Sequence, residues 1–263
     1  MKVAAIQHDI VWEDGAATRL RLAPLIAQAA AGDARIIVLS EMFATGFSMA
    51  PERIAEEPGG LSEQFLREQA AEHGAWLIGS ISQWAEPMPG VAVRGGERPR
   101  MAANVAVVAG PGGEVHRYAK IHPFTYTGEH ERYRAGAEFL TVRVDDLRVS
   151  VFVCYDLRFA DEFWQLAEDT DLFVVPANWP DARGEHWRIL LRARAIENQA
   201  YVLGCNRVGT VDRLNYAGDS AIIDPLGRTL AQASVVETVL TAEVSAAEVT
   251  RARARYPFLQ DRR

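Results

Sequence analysis

Nine short apolar runs recur along the chain, and stretches with helical spacing lie between several of them. The runs are MKVAAIQ at the start, ARIIVLS (34–40), AWLIGSI (75–81), MAANVAVVA (101–109), FLTVRV (139–144), RVSVFVC (148–154), DLFVVPA (171–177), AYVLGCN (200–206) and SAIIDP (220–225). Each has the length and β-branched content of a buried strand. Helical patterns cover about 17–31, 61–73, 161–169 and 184–198. In the last, Trp187, Leu190, Leu191, Ala195 and Ile196 recur at helix spacing. Asp161 reads as a helix N-cap and Gly74 as a helix stop. This alternation predicts an α/β fold. Residues 101–118 read as a hairpin turning at GPGGE, and 214–244 as strand–turn–strand with DPLGR as a turn, so the sheets are expected to be mixed.

The length, 263 residues, suits one large domain, taken as 1–263. Net charge is 28 minus 35, or −7, which argues against a general nucleic-acid or acidic-membrane surface. An anionic substrate would need a local cationic pocket. No signal peptide or membrane span is expected. The two cysteines, Cys154 and Cys205, form no C-x-x-C, so neither a disulfide framework nor a structural zinc site is expected, and the cytoplasm is the expected compartment. Residues 86–100, rich in Gly, Pro and Arg, read as a long surface loop. The Arg-rich tail 251–263 reads as a solvated or partner-contacting end.

Reactive groups in α/β enzymes sit where strands end. Glu41 follows the run IIVLS, where a carboxylate must be exposed, paired or functional; a loop-lip glutamate is the plainer reading. Lys120 follows the first hairpin and alone says little. Near Glu41 in a dry cleft, each charge would hold the other ionised, and the ammonium could stabilise an oxyanion. Cys154 ends an apolar run, as inert core cysteines do. The abrupt polar turn after it (Tyr155, Asp156, Arg158) also suits a nucleophile near backbone N–H groups. Cys205 lacks such a setting and reads as structural. Any of the six histidines could partner a cysteine, but a Glu base and a Lys electrophile can do the same work.

These segments together resemble the nitrilase superfamily of carbon–nitrogen hydrolases. The likeness rests on LSEMFATGF, KIHPF, VCYDLRF, VVPANWP, RARAIENQAYVLGCNRVG and GDSAIIDPLG, six strings in the family's order. It implies a four-layer α-β-β-α sandwich that pairs into a homodimer. It implies a catalytic triad of Glu41, Lys120 and Cys154, with Glu129 as a second glutamate and Glu131 as its rival. It also implies an oxyanion site made by Lys120 and the Tyr155 backbone N–H. Nitrilases usually carry Cys-Trp-Glu at the nucleophile, whereas this chain has Cys154-Tyr155-Asp156, which favours amides over nitriles. Within the amidases the chain looks like the bacterial ω-amidase group, whose substrates are 2-oxoglutaramate and 2-oxosuccinamate. Such a substrate needs a cation for its carboxylate: Arg183 is the candidate, with Trp179 as a wall, Asn178 as a donor, and Phe43 or Phe124 as further lining. Arg158 reads as structural, paired with a carboxylate. No metal or organic cofactor is implied. The alternatives are an amidase for deaminated glutathione or carbamoyl amines, and a non-catalytic small-molecule-binding scaffold. A nucleotide-binding domain lacks its glycine-rich motifs.

Overall fold

In the first strand, β1 (Lys2–Gln7), Val3 and Ala5 enter one buried cluster while Ala4 and Ile6 enter another. This is the period-2 alternation of a strand with both faces covered. β2 (Ala34–Val38) repeats it, with Ile36 and Val38 in the first cluster and Ile37 in the second. The structure, a computed structural model, describes residues 1–85 and 100–262. The expected surface loop, except for Arg100, lies outside the described residues.

β1 and β2 join β3 (Trp76–Trp84), β4 (Ala102–Ala109) and β5 (Val115–Ala119) in one sheet. A second sheet contains β6 (Thr141–Val144), β7 (Leu147–Val151), β8 (Leu172–Ala177), β9 (Tyr201–Asn206), β10 (Val208–Val211), β11 (Leu214–Ile223) and β12 (Thr229–Ser234). The chain then returns to the first sheet as β13 (Thr238–Glu243), antiparallel to β1. Both sheets are mixed: β1–β2–β3 and β7–β8–β9 run parallel, and the pairs outside them are antiparallel.

The first cluster fills the space between the sheets, joining Val3 and Ile36 to Val149, Val175 and Leu203. The second lies between the first sheet and two helices, α1 (Gly15–Ala31), which gives Leu22 and Ile26, and a later helix over Leu61–His73, which gives Leu66 and Ala70. A helix over Gly184–Asn198 covers the second sheet with Trp187, Leu191 and Ala195. Gly204 of β9 allows this helix to come close, since a Cβ there would lie 2.6 Å from Leu191 Cδ1. The result is the expected helix–sheet–sheet–helix sandwich. Among the described residues, no helix is long and apolar enough to cross a membrane.

Local chemistry sets the helix ends. Asp14 caps α1 by accepting from Ala17 N at 2.9 Å. Gly74, at φ 63°, ends the 61–73 helix as its sequence position predicts. Asp161 does not cap: the helix Ala160–Leu166 already includes it, and its charge sits in the first turn, where the helix dipole favours an acid. The strand expected over 148–154 stops at Val151, because the chain turns to bring Cys154 to φ 47°. A hairpin between β10 and β11 was not foreseen.

The C-terminal tail is docked rather than solvated through the described residues. The helix Ala246–Arg255 buries Val249 and Ala252, and Leu259 is buried beyond it. Arg253 Nη2 donates to Ala167 O (2.7 Å), Thr170 O (2.7 Å) and Asn198 O (3.3 Å), and its Nε donates to Gln199 O (3.2 Å). One guanidinium thus serves carbonyls at or just past the C-terminal ends of two other helices, where backbone donors run short. Arg253→Ala is expected to lower unfolding free energy by about 1–3 kcal/mol, measured by urea denaturation, because those carbonyls lose a charged donor.

Candidate active site

Two segments, one leaving β2 and one leaving β5, bring three charges to one point. Glu41 follows β2. Its backbone is pinned by Leu39 N to Ile78 O (2.7 Å) and by Met42 N to Ser80 Oγ (2.9 Å). Lys120 follows β5, and its backbone N–H donates to Asn104 O at 2.9 Å. Glu129 opens a short helix over Glu129–Arg132, entered through Gly128 at φ 77°.

The Lys120 ammonium donates to Glu41 Oε1 at 2.9 Å and to Glu129 Oε1 and Oε2 at 3.1 and 2.9 Å. All three side chains are buried, at most 1 % exposed. Asn104 Nδ2 ties the two carboxylates together, at 2.8 Å from Glu41 and 3.2 Å from Glu129, and its Oδ1 accepts from Ser80 Oγ at 2.8 Å. Asn178 N donates to Glu41 Oε2 at 2.9 Å, and Asn178 Nδ2 donates to Glu41 O. Burial pulls the Lys120 pKa down, but Glu129 and then Glu41 outweigh it and hold the ammonium well above the usual lysine range. Burial pushes the Glu129 carboxyl up, against the pull of Lys120. Glu131 is exposed, away from this cluster.

Cys154 is the first residue of a 3-10 turn, Cys154–Arg158, and its left-handed φ of 47° is uncommon for a side-chain-bearing residue. Asp156 holds the turn: its buried carboxylate accepts from Val153 N (3.0 Å), the Tyr118 hydroxyl (2.8 Å) and His122 N (2.9 Å). Burial, followed by the charge and hydrogen bond of Glu41, pushes the Cys154 thiol well above its usual pKa; Lys120 and the Asn178 backbone oppose this. None of these groups is a histidine. Cys205 lies between the sheets, donating to Ile6 O and Val38 O at 3.3 Å, and burial pushes its pKa up as well.

A cavity of about 110 Å³ opens on Cys154 and Lys120 and is lined further by Phe47, Phe124, Tyr126, Thr127, Tyr155, Arg158, Asn178, Trp179, Pro180, Arg183, Leu214 and Tyr216. Arg183, Trp179, Asn178 and Phe124 therefore share one wall system, as the sequence suggested. Phe43 does not line it. It is fully buried, packing on Gly79 and lying 6.1 Å from Phe65, because the chain at Met42 (φ 41°) turns its ring toward the helices. Phe47 lines the cavity instead, with Lys120 Nζ 5.1 Å from its ring centre.

Arg158 also departs from expectation. It faces the cavity, stacked 4.7 Å over Trp179 and 5.9 Å from the Tyr155 ring, and Nη2 donates to His186 Nδ1 at 3.1 Å. Arg183 lies 5.3 Å over Phe124. Among the described residues, neither guanidinium forms an ion pair with a carboxylate within 4.0 Å. Burial, and then the charge of Arg183, pull Arg158 down from the usual arginine range. Tyr216, which sequence reasoning missed, comes in on β11; burial pushes its hydroxyl up to about 12, opposed by Arg207, whose guanidinium carbon is 4.7 Å from the ring. Among the described residues, no group of three or more His, Cys, Asp or Glu is placed to hold a metal ion.

A buried thiol beside a carboxylate and an ammonium is arranged for nucleophilic attack on a carbonyl carbon. Residues 2–254 match the Carbon-nitrogen hydrolase family, and the chain belongs to that family. It is 38 % identical over 265 residues to omega-amidase YafV of Yersinia enterocolitica, covering 99 % of this chain and 96 % of that one. It is 32 % identical to 2-oxoglutaramate amidase of Bacillus subtilis, covering 87 % of this chain and 85 % of that one. The crystal structure of XC1258 from Xanthomonas campestris, a CN-hydrolase superfamily protein with an arsenic adduct in its active site, superposes with a TM-score of 0.89 at 36 % identity, covering 100 % of this chain and 97 % of that one.

The thiol's environment gives a signed prediction. Glu41→Gln removes two influences that raise the Cys154 pKa and leaves Lys120, which lowers it. Iodoacetamide is therefore expected to alkylate Cys154 faster at neutral pH in Glu41→Gln than in the parent. Slower alkylation would mean that Glu41 already draws the proton off the thiol in the resting protein.

Proposed function

We propose that this hydrolase is an ω-amidase, cleaving the terminal amide of short ω-amido 2-oxo acids such as 2-oxoglutaramate and 2-oxosuccinamate to the dicarboxylate and ammonia. One observation carries the reading: a single small cavity joins the Cys154–Glu41–Lys120 cluster to two arginines that, among the described residues, form no ion pair with a carboxylate. Two neighbouring guanidiniums repel each other, and a bound carboxylate relieves that repulsion. At about 110 Å³ the cavity is well below the ~300–1,000 Å³ of sites for drug-sized ligands, so it suits a short linear acid better than a tripeptide derivative.

In this mechanism the Cys154 sulfur attacks the amide carbon as Glu41 takes the thiol proton. The oxyanion is held by the Lys120 ammonium and the Tyr155 N–H. Collapse breaks the C–N bond, and Glu41 gives its proton to the departing ammonia. Water then attacks the thioester carbon, with Glu41 accepting its proton, and collapse breaks the C–S bond as that proton returns to the thiol. Glu129 keeps Lys120 charged and aimed. Arg158 and Arg183 hold the 2-oxo carboxylate, with Trp179 and Phe124 supporting their planes.

Ammonia release from 2-oxoglutaramate and 2-oxosuccinamate should be robust in the parent and absent in Cys154→Ala. Arg158→Ala and Arg183→Ala should each raise KM for these substrates, by about 10-fold or more where a charge-assisted contact worth ~1.5–3 kcal/mol is lost. No release from either keto-acid amide, with release from a neutral amide, would overturn the substrate assignment and keep the reaction class.

The same reading includes a cytoplasmic homodimer. The reaction needs Cys154 reduced, and both cysteines are free. On the helix that covers the second sheet, Ile189 and Ile196 are 56 % and 48 % exposed and line a groove with Arg188, Arg192 and Ala193. Trp164, on the helix beside it, is also exposed. Such a face suits a second copy of the chain. Ile189→Asp combined with Ile196→Asp should convert a dimer to a monomer in sedimentation analysis.

A further inference from the structure

Lys120 and His122 stand two residues apart on one segment, and Cys154 and Asp156 two apart on another. The second member of each pair meets the other. His122 N donates to Asp156 Oδ1 at 2.9 Å, and His122 Nδ1 lies 3.1 Å from the same oxygen. On its other side His122 Nε2 lies 3.2 Å from Glu162 Oε1. The imidazole is stacked on Phe159, with ring centres 3.5 Å apart. Glu162 Oε2 is buried without a hydrogen bond. Among the described residues, His122 is the ion-pair partner of Glu162. Both ring nitrogens face carboxylate oxygens, so both contacts are attractive only when both nitrogens carry a proton.

We propose that His122 is a positioning residue for the hydrolysis: by bridging Asp156 and Glu162 it fixes the Cys154 turn relative to Lys120. The turn needs fixing, because a left-handed φ of 47° at Cys154 persists only where surrounding contacts over-determine it. The clamp spans the two segments that supply the nucleophile and the oxyanion's cation, and a displacement of about 1 Å between such groups can lower the rate 100-fold. Several charged or titratable groups surround the ring. Asp156 comes from the nucleophile turn and Glu162 from the helix after it. Tyr118 lies beyond Asp156, and His130 and Arg134 line the groove on the open side.

The inference rests on the nucleophile role of Cys154, and the test separates the two. kcat, KM and thermal midpoint are measured with 2-oxoglutaramate for His122→Ala, His122→Asn, Glu162→Gln and Cys154→Ala. His122→Ala is expected to lose about 10- to 100-fold in kcat with KM little changed. His122→Asn, whose amide can donate where Nδ1 does, is expected to regain much of that loss. Glu162→Gln is expected to lower kcat by less than His122→Ala does, with KM little changed, because the contact to His122 Nε2 loses its charge. Parent-like kcat in His122→Ala, no recovery in His122→Asn, or parent-like kcat in Glu162→Gln would each overturn the proposal. If His122→Ala does not fold, the other two variants carry the test. Turnover surviving in Cys154→Ala would instead overturn the nucleophile reading itself.

Discussion

A lysine ammonium locked between two buried carboxylates is the interaction on which the site depends. Taking any one of these ions out of water costs several kcal/mol, and only close, multiply hydrogen-bonded geometry offsets that. The chain supplies this geometry from four places: the end of β2 for Glu41, the end of β5 for Lys120, the short helix after it for Glu129, and β4 for Asn104. Glu41 raises the Cys154 thiol's affinity for its proton, and Lys120 opposes this. The two sheets thus matter to the chemistry because they hold these chain segments in register.

The proposed nucleophile is held in a complementary way. Its turn departs from strand geometry at once after β7, and a single buried carboxylate, Asp156, gathers donors from its own turn and from the neighbouring sheet. Strain of about 1–3 kcal/mol for a side-chain residue in the left-handed region is tolerable when several hydrogen bonds converge on it. Cys205, with no turn and no charge beside it, remains a packing residue between the sheets.

Much of this architecture is legible in the sequence. The helices over 61–73 and 184–198 can be bounded from the sequence because periodicity runs up to them and a residue in the left-handed region closes each: Gly74 in one case, Gln199 in the other. The order of Glu41, Lys120 and Cys154 at strand ends identifies the family. Side-chain direction is less legible. Phe43 and Phe47 both lie shortly after Glu41, and the positive φ values at Met42 and Gly46, which no pattern reveals, decide which ring meets the cavity. Arg158 was expected to find a carboxylate; it rests instead on aromatic faces and an imidazole, contacts that only the folded chain assembles. Tyr216 was hidden because the hairpin that delivers it turns at Asp212-Arg213, without the Asn-Gly or Asp-Gly pair that marks such turns. Arg253 looked solvated because the carbonyls it serves come from elements far away in sequence.

The raised pKa of the Cys154 thiol bears on how this protein ages. Sulfenic acid formation by peroxide, and mixed disulfides with small thiols, both begin from the thiolate. A cysteine paired with an imidazolium offers that anion continuously. Here burial and the neighbouring carboxylate raise the thiol's pKa, and in the proposed mechanism the sulfur becomes a strong nucleophile as a substrate carbonyl arrives to take the developing charge. A thiol that holds its proton in this way offers little thiolate to adventitious oxidants.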